Sequence, residues 1–216
     1  MDAIILLHGL WMSGFVLGPM RHRLRDDYGF RVTTFSYPSV SAALGDTVAR
    51  LRDLAQGLDA ERLHFVGHSF GGIIVLELLQ LTRDLPPGRA VLLGSPLCGS
   101  TAAATIAHWP MGRSLLGRGL CEAVVDRQCV AWDGRREVGV IAGSTGVGLG
   151  RFFAHLGGEH DGTVLVDETR LPGIVDHLVL PVTHTGMLIS PEVARQAAHF
   201  LREGRFAPGE AVGGRP

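Results

Sequence analysis

The sequence predicts a single α/β domain built on a minimal, doubly wound, mostly parallel sheet of about six strands with flanking helices. Three observations carry this. Short apolar runs alternate with longer helical patterns along the chain. The runs are continuous rather than alternating apolar and polar, as parallel strands covered on both faces require. The 216 residues, 46% of them apolar, supply one core of the larger sort and are short for two.

The elements follow in order. Ala3–Leu7 reads as the first strand, and Phe15–Arg25 fits a helix behind it. Val32–Phe35 is the second strand. In Ser41–Leu58 the residues Leu44, Val48, Leu51 and Leu54–Ala55 recur at helical spacing. Leu63–Val66 is the third strand, and Phe70–Leu81 is apolar nearly all round, as a buried helix is. Ala90–Leu93, Val138–Ala142 and Leu178–Leu180 complete the six. The last helix has Ser190 as N-cap, Pro191 at N1, an inner face of Val193, Ala197, Phe200 and Leu201, and Gly204 to end it. Residues 96–137 interrupt the alternation with one helical stretch near Leu115–Val125, an excursion over the strand ends that could wall a pocket. The domain is read as 1–204. Residues 205–216 lose apolar periodicity and gain Gly and Pro, a loose tail.

Composition excludes several functions. Net charge is −1 with no basic stripe, which argues against a nucleic-acid binder. All 20 basic residues are arginine. Without lysine there is no Walker A phosphate loop, no pyridoxal-phosphate Schiff base and no Ser-Lys dyad. Apolar runs fall far short of the roughly 20 residues of a membrane span. The N-terminus lacks the basic region of a secretory signal. Three cysteines, Cys98, Cys121 and Cys129, then read as reduced thiols of a cytoplasmic protein. A Cys121–Cys129 bridge is the alternative if the protein is exported.

The sharpest motif is Gly67-His68-Ser69-Phe70-Gly71-Gly72, between a strand and a helix. This is G-x-S-x-G in its required setting, a tight turn that lifts the Ser69 hydroxyl above the carboxyl edge of the sheet. Side chains at Gly67 and Gly71 would clash with neighbouring backbone. The plain alternative is a glycine-serine helix cap. His68 is read as structural, pointing away from Ser69.

A serine nucleophile needs a base, and the base an orienting carboxylate, in the chain order Ser, acid, His. His108, His155, His160, His177, His184 and His199 follow Ser69. His184 alone lies between the last strand and the last helix, where the carboxyl edge returns to Ser69. No Asp or Glu occurs from Leu85 to Cys121, so the acid is expected after the fifth strand. Asp161, in the turn His160-Asp161-Gly162-Thr163-Val164, is preferred over Asp167 and Asp176. The oxyanion donors would be the backbone N–H groups of Phe70 and of Leu10, with Trp11 next, since Gly9 lets the first loop turn sharply.

With these residues assembled, the chain resembles the α/β-hydrolase family, in particular small bacterial esterases and lipases without a large cap. The carrying segments are His8-Gly9, Gly67–Gly72, Gly94-Ser95-Pro96-Leu97-Cys98-Gly99-Ser100, Asp161–Val164 and His184 with its neighbours. The resemblance implies a sheet lacking the two antiparallel N-terminal strands of larger members. It also implies cofactor-free cleavage of a small-molecule carboxylic ester, with no metal and an acyl-enzyme on Ser69. Trp11, Met12, Leu97 and Trp109 are candidate substrate contacts, and Phe15, Ile106 and Met111 further pocket walls. Most could equally be core.

Other readings are weaker. Gly143-Ser144-Thr145-Gly146-Val147-Gly148-Leu149-Gly150 looks like a dinucleotide loop, but Arg151 stands where a glycine would be needed. His155 and His160 lack metal-ligand spacing, and Cys98 has no neighbouring base. Acyl-thioester hydrolysis, acyl transfer to an alcohol, and ligand sensing without turnover would use the same residues.

Overall fold

The structure, a computed structural model, describes residues 1–125, 129, 131–146 and 157–208. Six strands form: β1 (Asp2–Leu7), β2 (Arg31–Phe35), β3 (Arg62–His68), β4 (Ala90–Leu93), β5 (Val138–Gly143) and β6 (Asp176–Leu180). They pair in the order β2-β1-β3-β4-β5-β6, every neighbour parallel. All six expected strands are present, and the sheet is wholly parallel.

Both faces of the sheet are covered, and the period of two along each strand divides its side chains between them. Ala3, Ile5, Leu7, Leu63 and Phe65 pack with α2 (Leu44–Gln56) and α3 (Phe70–Leu81). Ile4, Leu6 and Val66 pack with α1 (Gly18–His22) and the last helix, Pro191–Glu203. That helix is capped as its sequence requires. The Ser190 Oγ accepts the Val193 N–H at 3.3 Å, and Gly204, at φ 76°, donates to the Phe200 carbonyl at 2.8 Å.

Three helical expectations change. The first helix is instead a 3-10 turn (Gly14–Leu17), the single α1 turn and a π turn (Arg23–Asp27). Pro19 near its start restarts the helix there, while Leu17, Met20 and Leu24 still reach the core. Helix α2 begins at Leu44 rather than Ser41, because the Ala42 N–H closes a turn on the Pro38 carbonyl. The excursion holds α4 (Thr101–Ala107), α5 (Gly112–Leu116), α6 (Arg118–Leu120) and a π turn (Cys121–Val125), not one helix. Gly117, at φ 79°, breaks the run, and a Cβ there would lie 2.2 Å from the Val40 carbonyl oxygen. The last helix is α7.

The cysteines also differ from expectation. Cys98 and Cys129, 31 residues apart, are joined as a disulfide with Cα atoms 4.5 Å apart, and Cys121 is free and buried. The bridge ties a later part of the excursion back to its beginning, just after β4. Beyond α7 the chain stays attached for a few residues. Phe206 packs on Phe200 and donates its N–H to Asp176 Oδ2 at 2.8 Å, and the Ala207 N–H reaches Gln196 Oε1. The rest of the expected tail, 209–216, lies outside the described residues. No helix among the described residues is long and apolar enough to cross a membrane.

Candidate active site

The winding of the sheet reverses between β1 and β3. From β1 the chain crosses to β2 on one side, and from β3 to β4 on the other. Loops leaving the carboxyl ends of these two neighbours diverge and leave a crevice, where ligands of open α/β sheets bind. Ser69 follows β3 directly at this point.

Ser69 has φ 54° and ψ −121°, a conformation costly for a residue with a Cβ. The turn is forced by close backbone approach. A Cβ on Gly67 would lie 2.5 Å from Gly72 Cα, and one on Gly71 would lie 2.6 Å from the His8 carbonyl oxygen. Neither neighbour is a side chain that could swing away. Gly9 brings the first loop onto the same spot, since its Cβ would stand 3.0 Å from Ser69 Cβ. That loop is clamped from below. The His8 ring stacks on Tyr37 at 4.4 Å, and the Tyr37 hydroxyl donates to the His8 carbonyl at 2.7 Å.

Asp161 and His184 meet beside it. Asp161 is 1% exposed, and its Oδ2 accepts the His184 Nδ1–H at 2.7 Å. Its Oδ1 accepts the N–H groups of Thr163 and Val164, at 2.9 and 2.8 Å. The backbone repeats the link, with the His184 N–H donating to the Asp161 carbonyl at 2.8 Å. Gly94, at φ +55°, leaves room for the pair, because a Cβ there would be 2.9 Å from Asp161 Oδ2 and 3.1 Å from His184 Nδ1.

Ser69 and His184 both line one cavity of about 150 Å³, and among the described residues no hydrogen bond joins them. Leu10, Trp11, Met12 and Phe70 border it near Ser69, and Ile106, Leu116, Leu120 and Val124 close its apolar end. The Trp11 N–H is already taken by Ser39 Oγ at 3.1 Å, and its indole N–H by the Leu115 carbonyl at 2.9 Å. Of the two first-loop candidates, the Trp11 N–H is thus already engaged. Phe70 is the first residue of α3, so its N–H has no partner within the helix. Leu97 lines a different pocket, with Ile73 and Cys129, and Trp109 is not on the Ser69 cavity. Phe15 and Met111 are exposed.

The other candidates lie elsewhere. Asp176 accepts the His177 and Phe206 N–H groups, and Asp167 is exposed beside Arg170. His177 bonds Thr169, while His108 and His199 bond nearby backbone carbonyls. His160 Nδ1 accepts the Gly162 N–H. His155, like residues 147–150 of the glycine-rich loop, lies outside the described residues.

A family model described as "Alpha/beta hydrolase family" matches residues 4–207. The chain belongs to the alpha/beta hydrolase family. Solved structures agree on the fold. The Bacillus licheniformis lipase BlEst2 in propeptide form is 20% identical, with a TM-score of 0.68 over 86% of this chain and 47% of that one. The metagenomic carboxyl esterase MGS0156 is 18% identical, with a TM-score of 0.63 over 85% and 64%. The carboxylesterase CesB (YbfK) from Bacillus subtilis is 15% identical, with a TM-score of 0.60 over 94% and 84%. This hydrolase thus spans about half the length of the first and under two thirds of the second. No curated protein matches the chain.

One residue of this alpha/beta hydrolase site was underread in the sequence. His68 is buried, as a structural residue would be, but its Nε2–H donates to the His184 carbonyl at 2.9 Å. The two rings lie 4.6 Å apart. His68 therefore holds the backbone of His184, a link between residues 116 apart that no local pattern announces. Burial, and next the neighbouring His184, lower its pKa from 6.5 to about 3. Burial likewise lowers His64 to about 4. Above pH 6.5 both imidazoles are neutral folded or unfolded. Below it the unfolded chain gains protons that the folded chain refuses, so stability falls with pH. Urea unfolding should show a loss of up to about 1.4 kcal/mol per pH unit for each imidazole between pH 6.5 and 4. Equal stability at pH 7.5 and 4.5 would mean that neither stays neutral in the fold.

Proposed function

We propose that this alpha/beta hydrolase cleaves carboxylic esters of short to medium acyl chain through an acyl-enzyme. The observation that carries the reading is the convergence of a strained Ser69 and the Asp161–His184 pair on one apolar cavity at the sheet's switch point. Ser69 Oγ attacks the ester carbonyl carbon while His184 Nε2 takes its proton. Asp161 holds the Nδ1–H and stabilises the imidazolium. The Leu10 and Phe70 N–H groups receive the oxyanion. The tetrahedral intermediate then expels the alcohol, which takes the proton from His184 Nε2, leaving the acyl group on Ser69. A water activated by His184 repeats the sequence and frees the acid. The cavity, at about 150 Å³, is smaller than pockets for drug-sized ligands, which run from roughly 300 to 1,000 Å³. That size supports the short-chain preference.

The test is steady-state turnover of p-nitrophenyl acetate, butyrate, octanoate and palmitate, with an acyl-thioester of matching chain in parallel. Butyrate or octanoate is expected to give the highest kcat/KM, and a serine-directed phosphonate to label Ser69 alone by peptide mass. Folded protein that turns over none of the oxygen esters would overturn the esterase reading. Emulsified long-chain triglyceride preferred over soluble short esters would overturn the chain-length assignment.

A further inference from the structure

A basic cleft lies at the opposite edge of the sheet from Ser69. Arg62 opens β3, Arg89 immediately precedes β4, and Arg135, Arg136 and Glu137 precede β5. With Arg83, just past α3, they surround a cavity of about 660 Å³. Five of the chain's 20 arginines line it against a single carboxylate, Glu137, in a protein whose net charge is −1. Its volume falls within the range of roughly 300 to 1,000 Å³ typical of small-molecule sites, which the Ser69 cavity does not reach.

The five arginines divide by what they already hold. Arg136 donates to the carbonyls of Leu63 and Pro86, at 2.7 and 2.6 Å, and lies over the Phe65 ring. Arg89 pairs with Glu137 and donates to the Leu201 and Arg202 carbonyls at the end of α7. Arg135 pairs with Asp133, outside the lining, and reaches the Gln80 carbonyl. These three are fastened to backbone and form a preorganised wall. Arg62 and Arg83 have no ion-pair or hydrogen-bond partner among the described residues, although the charge of Arg83 reaches Asp133. Buried His64 adds no counter-charge. Its Nδ1 accepts the Arg89 N–H at 3.0 Å, and its Nε2, 3.7 Å from Asp2 Oδ2, has no hydrogen-bond partner among the described residues.

We infer that this basin binds a small organic polyanion, a molecule bearing two or more carboxylate or phosphate groups. A cleft walled by one sign of charge focuses its field inward and concentrates counter-ions. Guanidinium groups are weakly hydrated and match carboxylate and phosphate oxygens two at a time. Arg62 and Arg83 are the free forks, the fastened three supply field, and Leu79, Leu85 and Pro87 offer an apolar wall to the body of the ligand. The site is separate from the Ser69 cavity and stands whether or not the esterase reading does.

Calorimetric titration of the whole protein with citrate and with inorganic pyrophosphate, at ionic strength held constant with sodium chloride, tests it. At least one probe is expected to bind saturably with a dissociation constant of about 1 mM or tighter. Which probe binds more tightly separates carboxylate from phosphate recognition. The Arg62→Glu/Arg83→Glu pair should weaken that binding about tenfold or more. Neither arginine makes an ion pair or side-chain hydrogen bond among the described residues, so the melting temperature should not move, and Arg62→Gln/Arg83→Gln serves if the reversed pair fails to fold. Absence of saturable binding by both probes, or an affinity unchanged in the variants, would overturn the inference.

Discussion

Replacing Ser69 by alanine is expected to lower kcat on a soluble p-nitrophenyl ester by about four to six orders of magnitude while the melting temperature stays put. Alanine removes the Oγ but keeps the Cβ, so a backbone at φ 54° remains as strained as before. Ser69→Gly separates the two roles of the residue. Strain of this kind costs about 1–3 kcal/mol, and glycine releases it while adding about 0.5–1 kcal/mol of unfolded-chain entropy. The glycine variant should therefore be as inactive as the alanine variant and more stable by up to about 2 kcal/mol. Chemical denaturation of the two proteins measures that difference directly. An alanine variant retaining more than about a hundredth of wild-type turnover would place the nucleophile elsewhere.

The strain and its surroundings also show what a sequence can disclose. The strands were legible because parallel strands buried on both faces are apolar nearly throughout, as β1, β4 and β5 are, while the edge strands β2 and β6 are only partly buried and show shorter apolar stretches. The turn at Ser69 was legible because two glycines, Gly67 and Gly71, are demanded by backbone atoms only 2.5 and 2.6 Å from where a Cβ would be. The adjacency of Asp161 and His184 followed from where β5 and β6 must end. Contacts made by long-range closure left no such trace. Nothing local in Trp11 foretells that Ser39, 28 residues on, will occupy its N–H. Nothing in three scattered cysteines foretells that Cys98 finds Cys129. Apolar composition alone could not place Leu97 and Trp109 off the Ser69 cavity and Leu116, Leu120 and Val124 on it. Their side depends on how short helices are broken at Gly112 and Gly117. The arginine basin was hidden for a related reason. Its members are scattered at or just before the starts of β3, β4 and β5 and just past α3, and only parallel pairing gathers them.

The proposed acid gives the second large effect, and its direction follows from hydrogen-bond polarity. Asp161→Asn is expected to lower kcat about 10⁴-fold with KM little changed. At the Oδ1 position the side chain faces two backbone donors, the N–H groups of Thr163 and Val164. Only the amide oxygen of asparagine can satisfy them. The amide NH₂ is then turned toward His184, where Oδ2 now accepts the Nδ1–H. Facing a donor, His184 Nδ1 must give up its hydrogen, and the neutral ring carries its proton on Nε2 instead. A ring protonated there cannot take a proton from Ser69. The backbone link between the His184 N–H and the Asp161 carbonyl is untouched, so the loop should keep its place and the protein its melting temperature. Asp167→Asn is the control, since that carboxylate is exposed and its ion-pair partner among the described residues is Arg170; its kcat should stay within about twofold of wild type. A loss of under tenfold in folded Asp161→Asn would detach the carboxylate from the chemistry and leave His184 to be oriented by its backbone contacts with Asp161 and His68.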